Sequence, residues 1–273
     1  MDNYFVSSCK RVKDWICRQF GQKEKKTVHH KKLADGGEVI VWETGRAGEE
    51  AASYENLFLR KEIAGFRTNI RREQSCSIKS LTRDYLYKQL LSSGEYTFDH
   101  MLVIKDPYGE APLTALALFM LEEPACVRVT TKGNLKVTDF VTELPKKKEH
   151  RVPILGMYAE KANDIVIEIL DDEGNCVKSH TFTIRTKRLP KSLRNVITVK
   201  KWTDKPAYSN IMINGGVKIH TCVFDIEGKI RYYLSRKPRG YGIFPLSDGH
   251  FFYMEKYISV PSYSNPQTVE SYD

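Results

Sequence analysis

The spacing of the apolar residues predicts a helical region early in the chain. Between about 49 and 91 they recur at steps of three to four, the period of one helix face. These positions are Leu57, Ile63, Phe66, Ile70, Ile78, Leu81, Tyr85, Leu86 and Leu90. The run Ser-Ser-Gly at 92–94 suits a helix C-terminus. Before this region we expect a polar linker at 21–37 and one short strand at 38–44.

After Tyr96 the pattern changes to short apolar runs separated by turn residues. We expect strands at 115–121 and 126–131, with a turn at 122–124 (Glu-Glu-Pro) between them. Two further strands follow, DIVIEIL and CVKSHTFTIRT, joined by the turn DDEGN. Strands with turns about every ten residues are typical of an antiparallel β-sandwich with an Ig-like fold. Since no helix-length pattern interrupts them, a parallel α/β sheet is not expected.

A basic segment at 187–195 separates this region from two hairpins of a different kind. The first is KIHTCVFDIEGKIRYYLS, and YGIFPLSDGHFFYMEK repeats its arrangement. Paired hairpins with a glycine at the end of each turn are typical of a β-propeller blade, or of another small antiparallel sheet. The protein is therefore predicted to be mainly β. Its parts are a helical and linker region at 1–95, a sandwich at 96–187 and the start of a propeller at 188–273.

Composition and charge make a nucleic-acid site less expected. The chain of 273 residues has 43 Lys and Arg against 34 Asp and Glu, which gives a net charge of +9. Because the two signs are interspersed, this charge predicts a solvated basic surface and not a nucleic-acid site. Residues 1–20 have the spacing of a basic amphipathic helix, for which packing on the protein's own core is favoured over a membrane surface. Because residues 1–20 contain no unbroken apolar stretch, no signal peptide is expected, and no run of about 20 apolar residues predicts a membrane span. The six cysteines form no CxxC pair, which favours reduced thiols and a cytoplasmic location.

The order of these motifs resembles one known family. ALALFMLEEPACVRVTTKG followed by HRVPILGMYAEKANDIVIEILDDEGNCVKSHTFTIRTKRLP resembles the N-terminal domain of bacterial aryl-sulfate sulfotransferases. VFDIEGKIRYYLS is similar to the hairpin of that family's first propeller blade, D-x-x-G-x-I/V-R-W/Y-Y-L. The resemblance runs from about 106 to the last residue, and residues 1–95 have no counterpart in it.

The resemblance implies an activity. The family transfers a sulfuryl group from an aryl sulfate donor to a phenol acceptor without the nucleotide cofactor PAPS, through a sulfohistidine on a propeller histidine. The catalytic residues of the family come from later blades, so this chain is expected to be a truncated part that is inactive alone. No catalytic residue is assigned to any position here, and no cofactor or metal is expected.

The remaining candidates are side chains without an evident chemical partner. Four are the histidines His150, His180, His220 and His250, for which structural roles are expected. The adjacent pair His29 and His30 has no carboxylate or cysteine at ligand spacing, so we expect no metal there. A basic loop that could attract a sulfate or nucleic acid, but is expected to be an ordinary hairpin loop, contains Arg236, Lys237, Arg239 and Tyr241.

Two other functions remain open beside an enzyme fragment. The sandwich could be a non-catalytic interaction or dimerisation module, giving a homodimer. A basic nucleic-acid binder is the weakest of the three hypotheses.

Overall fold

The structure is a computed structural model, and it describes most of the first 200 residues and short stretches beyond them. The described ranges are 27–34, 36–55, 73–200, 210–213, 220–235, 243–245, 251–253 and 270–272. Strands account for 46% of the structure and helices for 18%, so the fold is mainly β, as predicted. In the described part of the chain, no helix is both long and apolar enough to cross a bilayer.

Thirteen strands and two α-helices are described. The strands are β1 (Val28–Lys32), β2 (Glu38–Trp42), β3 (His100–Lys105), β4 (Ala115–Thr131), β5 (Phe140–Ile154), β6 (Ala162–Leu170), β7 (Cys176–Arg185), β8 (Asn210–Ile213), β9 (Cys222–Asp225), β10 (Ile230–Tyr233), β11 (Ile243–Pro245), β12 (Phe251–Tyr253) and β13 (Glu270–Tyr272). The helices are α1 (Thr44–Ala52) and α2 (Glu73–Ser92). Short 3₁₀ turns lie at Lys136–Thr138 and Lys191–Leu193.

Seven strands form one curled sheet in the order β1-β2-β3-β4-β6-β7, with β5 on the other edge of β4. The long strand β4 pairs with β3 near its start and with β6 near its end, while β5 follows it along most of its length. The pairings are antiparallel except that of β2 with β3, which is parallel. A long connection containing α1 and α2 joins these two strands, as a parallel crossover requires.

The curl creates two hydrophobic cores. The inner core collects residues from both halves of the sheet, among them Val41, Val103, Val129 and Ile167. The outer core lies between α1 and α2 and the opposite face of β2, β3 and the first half of β4. Because β2 and β3 are buried on both faces, their sequences are continuous apolar runs without alternation.

Two sequence predictions are corrected here, and a third agrees with the structure. The turn expected at 122–124 is part of β4, whose register with β5 is irregular between Met120 and Ala125. A bulge accommodates Pro124, because residues there need not donate to the ladder. The linker expected at 21–37 contains β1, which pairs with β2 along its whole length. The helix expected to end at 92–94 does end there, and Gly94 has a positive φ of 70°.

The strands after 187 form two three-stranded antiparallel sheets, in the orders β10-β9-β8 and β11-β12-β13. The hairpin of β9 and β10 packs on the large sheet, since Cys222, Ile230 and Tyr233 belong to the inner core. The division of the chain at 187 remains a prediction, but strands on both sides of it share this core. The turn of the second hairpin, at 247–249, lies outside the described residues.

Candidate functional site: a buried arginine beneath the first hairpin

The turn between β9 and β10 is built around Asp225. One oxygen of its carboxylate, Oδ1, accepts hydrogen bonds from the backbone N–H groups of Glu227 (3.1 Å) and Lys229 (3.0 Å). Gly228, with a φ of 74°, donates its N–H to the carbonyl of Asp225 at 2.8 Å. Aspartate and glycine at this spacing thus close a turn that requires a left-handed residue.

The side chain of Arg231 extends from this hairpin into the large sheet, where it is fully buried. Its Nε donates to the carbonyl of Gly156 at 2.6 Å, and its Nη1 donates to the carbonyl of Thr138 at 2.7 Å. Nη1 also donates to the hydroxyl of Tyr158 at 3.0 Å and approaches Oδ2 of Asp225 at 3.1 Å. The guanidinium therefore binds two segments of the large sheet and the turn of its own hairpin.

The charge of Arg231 is neutralised inside the protein. Asp225 has no exposed surface, and an ion pair removed from water is tolerated only with good geometry and additional hydrogen bonds. The guanidinium carbon lies 3.9 Å from the centre of the Tyr158 ring, which adds a cation–π contact. The Nη2 atom is buried and has no hydrogen-bond partner among the described residues.

Tyr158 connects the pair to the rest of the large sheet. Its hydroxyl donates to Oδ2 of Asp225 at 3.0 Å and accepts from the N–H of Asn134 at 3.1 Å. Burial raises the pKa of Tyr158, so the hydroxyl keeps its proton at neutral pH. The buried amide of Asn163 accepts from the backbone N–H of Tyr158 at 2.7 Å and donates to its carbonyl at 3.0 Å. The backbone of Tyr158 is therefore fixed by contacts within the large sheet.

Gly156 allows the close approach of Arg231. It has a φ of 75°, and a Cβ at this position would lie 2.6 Å from the Cβ of Phe140. Only glycine fits both the conformation and the space. The group of Arg231, Asp225, Tyr158, Thr138 and Gly156 is called the arginine joint below. Its polar atoms are almost all engaged with each other, so its geometry suits holding two sheets together and not binding a substrate.

The candidate histidines lie on separate elements, each engaged by a neighbour. His220 donates from Nδ1 to the carbonyl of Leu234 at 2.7 Å. His180 stacks on Phe98 with ring centres 4.4 Å apart, and its Nε2 lies 2.9 Å from Oδ1 of Asp99. The structure does not bring these two histidines together. His250 lies outside the described residues.

His150 is buried in β5, at the side of an open depression of about 290 Å³. Its ring stacks on Phe119, and Nε2 donates to the carbonyl of Lys147 at 2.8 Å. Burial lowers the pKa of His150 below its usual value.

This lowered pKa predicts a loss of stability in mild acid. In the unfolded chain the imidazole of His150 binds a proton near pH 6.5, whereas in the folded protein it binds one only at lower pH. The stability that this difference contributes is therefore full above pH 6.5 and falls as the pH decreases below it. We expect the free energy of unfolding in urea to decrease from pH 7 to pH 5, and His150→Gln to decrease less over the same interval. An equal decrease in both proteins would contradict this assignment.

The other candidates do not form a site either. His29 and His30 lie exposed on β1, His29 Nε2 at 3.8 Å from Glu43 and His30 Nδ1 at 2.9 Å from Glu38. No group of three potential ligands that could hold a metal occurs within the ranges that the structure covers. The basic loop at 236–241 and residues 1–20 lie outside those ranges.

Sequence reasoning did not identify Arg231 as a special position. A basic residue in an apolar strand is ordinarily expected on the exposed face. The available signal was the hairpin pattern itself, in which an arginine follows D-x-x-G by three residues, as Arg231 follows Gly228.

The described fold is mainly β, and the hairpin of β9 and β10 packs on its curled sheet. Residues 102–187 match the family model described as the arylsulfotransferase Ig-like domain. The chain therefore contains the N-terminal Ig-like domain of arylsulfotransferases, which confirms the resemblance in the sequence. The match covers less than half of the chain and excludes β1, β2, both helices and the hairpin. No curated protein matches the sequence significantly.

Proposed function

We propose that this chain is the N-terminal portion of an aryl-sulfate sulfotransferase, and that its Ig-like domain holds the first hairpin of the catalytic propeller. The observation that carries the proposal is the arginine joint. It attaches the hairpin with the propeller pattern to the domain that matches the arylsulfotransferase family. In this view the spacing of aspartate, glycine and arginine in the hairpin serves attachment, and the chemistry takes place elsewhere in the propeller.

The transfer reaction demands groups that the described residues do not offer in one place. A neutral imidazole must attack sulfur, cationic or hydrogen-bonding groups must hold the sulfate oxygens, and a base must accept the phenol proton. His150 and His180 are instead buried on β5 and β7, and His220 is buried just before β9. Each has a ring nitrogen engaged by a carbonyl or a carboxylate. We therefore propose that the catalytic histidine of the family has no counterpart among these three.

The purified 273-residue chain is expected to show no sulfuryl transfer. The assay uses a chromogenic aryl sulfate with excess phenol and follows release of the coloured phenol against a heat-denatured control. Turnover above that control, lost in His220→Ala or His250→Ala, would show a working site within the chain. In that case the attachment role could still hold, but the proposal of an inactive portion would fail.

The alternative function, an interaction or dimerisation module, is favoured by one observation. Strand β7 pairs only with β6 in the described sheet, and its Val177 is 68% exposed. An exposed strand edge with an apolar residue can pair with a second chain. Sedimentation analysis over a concentration series tests this function. A dimer that dissociates in the Val177→Lys variant would support a dimerisation module. A monomer at all concentrations would contradict self-association.

A further inference from the structure

The turn at 106–110, between β3 and β4, contacts both the N-terminal helices and the C-terminal hairpin. Its own conformation is fixed. The N–H of Asp106 donates to the carbonyl of Thr114 at 2.8 Å, and Oδ1 of Asp106 accepts from the N–H of Ala111 at 2.9 Å. Asp106 and Gly109 both have a positive φ, 45° and 77°.

Helix α2 holds one side of this turn. Arg83 and Tyr87, both buried, donate hydrogen bonds to the same oxygen, the carbonyl of Pro107. Asp84 accepts from the hydroxyl of Tyr108 at 2.6 Å. A Cβ on Gly109 would lie 3.6 Å from the guanidinium of Arg83, so helix and turn are in contact there.

The residues just after β10 hold the other side. The N–H of Ser235 donates to the carbonyl of Glu110 at 2.7 Å, and its hydroxyl lies 3.4 Å from the carbonyl of Gly109. Burial raises the pKa of Tyr233 to about 12, and the nearby carboxylate of Asp106 contributes to this shift. The hairpin is thus attached at two places, to the arginine joint through Arg231 and to the turn through the residues after β10.

We infer that helix α2, through the turn at 106–110, controls how firmly the hairpin of β9 and β10 is held on the Ig-like domain. Helix α2 lies before the residues that match the family. The inference therefore assigns to this N-terminal region the role of stabilising the attached hairpin. The inference concerns only contacts within this chain and does not depend on the catalytic proposal. If the propeller follows the hairpin, the same helix sets the position of its first strands.

The thiol of Cys222 reports opening of the hairpin. Cys222 lies in β9 and is 2% exposed. Burial raises its pKa, which further slows reaction with a maleimide, because the thiolate is the nucleophile. Labelling at Cys222 is measured peptide by peptide in a mass spectrometer, so that the other cysteines do not interfere. Hydrogen exchange of the β6 amides in the same samples reports opening of the large sheet.

The variant Arg83→Met with Tyr87→Phe removes both hydrogen bonds to Pro107. Each buried hydrogen bond contributes about 1 kcal/mol, so we expect Cys222 labelling to accelerate about tenfold or more. Exchange in β6 should remain as in the original protein. The matched control is Lys88→Met, which changes an exposed residue of the same helix and should leave both rates unchanged.

Two results would overturn the inference. One is an unchanged Cys222 rate in the double variant, and the other is a rate that rises only in proportion to exchange in β6, which would mean global destabilisation. If the double variant does not fold, Tyr87→Phe alone decides, with an expected acceleration of about fivefold. No acceleration in that variant would equally refute the link.

Discussion

Replacing Arg231 by methionine is expected to lower the free energy of unfolding by about 3–5 kcal/mol, the largest effect of any single substitution proposed for this chain. Methionine fills much of the same volume but leaves the carboxylate of Asp225 buried without its cation. The carbonyls of Gly156 and Thr138 lose their donors at the same time. The measurement is urea denaturation followed by circular dichroism.

A matched control separates this effect from the loss of any positive charge. Arg188 pairs with Glu160 at 3.3 Å, but its side chain is 62% exposed, and exposed pairs contribute little. Arg188→Met should therefore change stability by less than about 0.5 kcal/mol. If Arg231→Met costs no more than Arg188→Met, the arginine joint does not hold the hairpin.

Gly156→Ala is expected to cost about 3 kcal/mol. The left-handed conformation disfavours alanine by about 1–2 kcal/mol, and the new Cβ would press against Phe140 at 2.6 Å. Relief of that contact displaces the carbonyl that accepts from Arg231, so the substitution also weakens the joint. Denaturation in urea measures the loss of stability.

Gly174→Ala isolates the conformational part of this cost. Gly174 has a similar φ, 83°, but a Cβ there would have no atom within 4 Å. We expect about 1–2 kcal/mol for this variant. Equal costs at the two glycines would mean that the contact with Phe140 contributes nothing, contrary to the account of the joint.

The sequence predicted the strands whose residues alternate or form apolar runs, and it failed on two polar edge strands, β5 and β1. β6 and β7 were expected where they occur, because one face of each is buried. β5 was not recognised, since its middle part is Pro-Lys-Lys-Lys at 145–148. An edge strand tolerates proline and collects lysine, because its outer hydrogen-bonding groups have no strand to pair with. The same reason explains β1, whose sequence VHHKK is almost entirely exposed.

The family resemblance came from the sequence, but the arginine joint did not. The pattern of Asp225, Gly228 and Arg231 was visible as a hairpin motif. Its function depends on Gly156, Thr138 and Tyr158, which are more than 70 residues away and meet Arg231 only after the sheet has curled. A hydrophobic pattern along the chain carries no information about such a contact.

The most direct test of the central claim is hydrogen–deuterium exchange of the whole chain, comparing the hairpin at 220–235 with β6. If the arginine joint fixes the hairpin to the Ig-like domain, the β9 and β10 amides should exchange within about tenfold of the β6 rate, and Arg231→Met should release them selectively. A hairpin that exchanges as fast as an unstructured peptide while β6 remains protected would contradict the account.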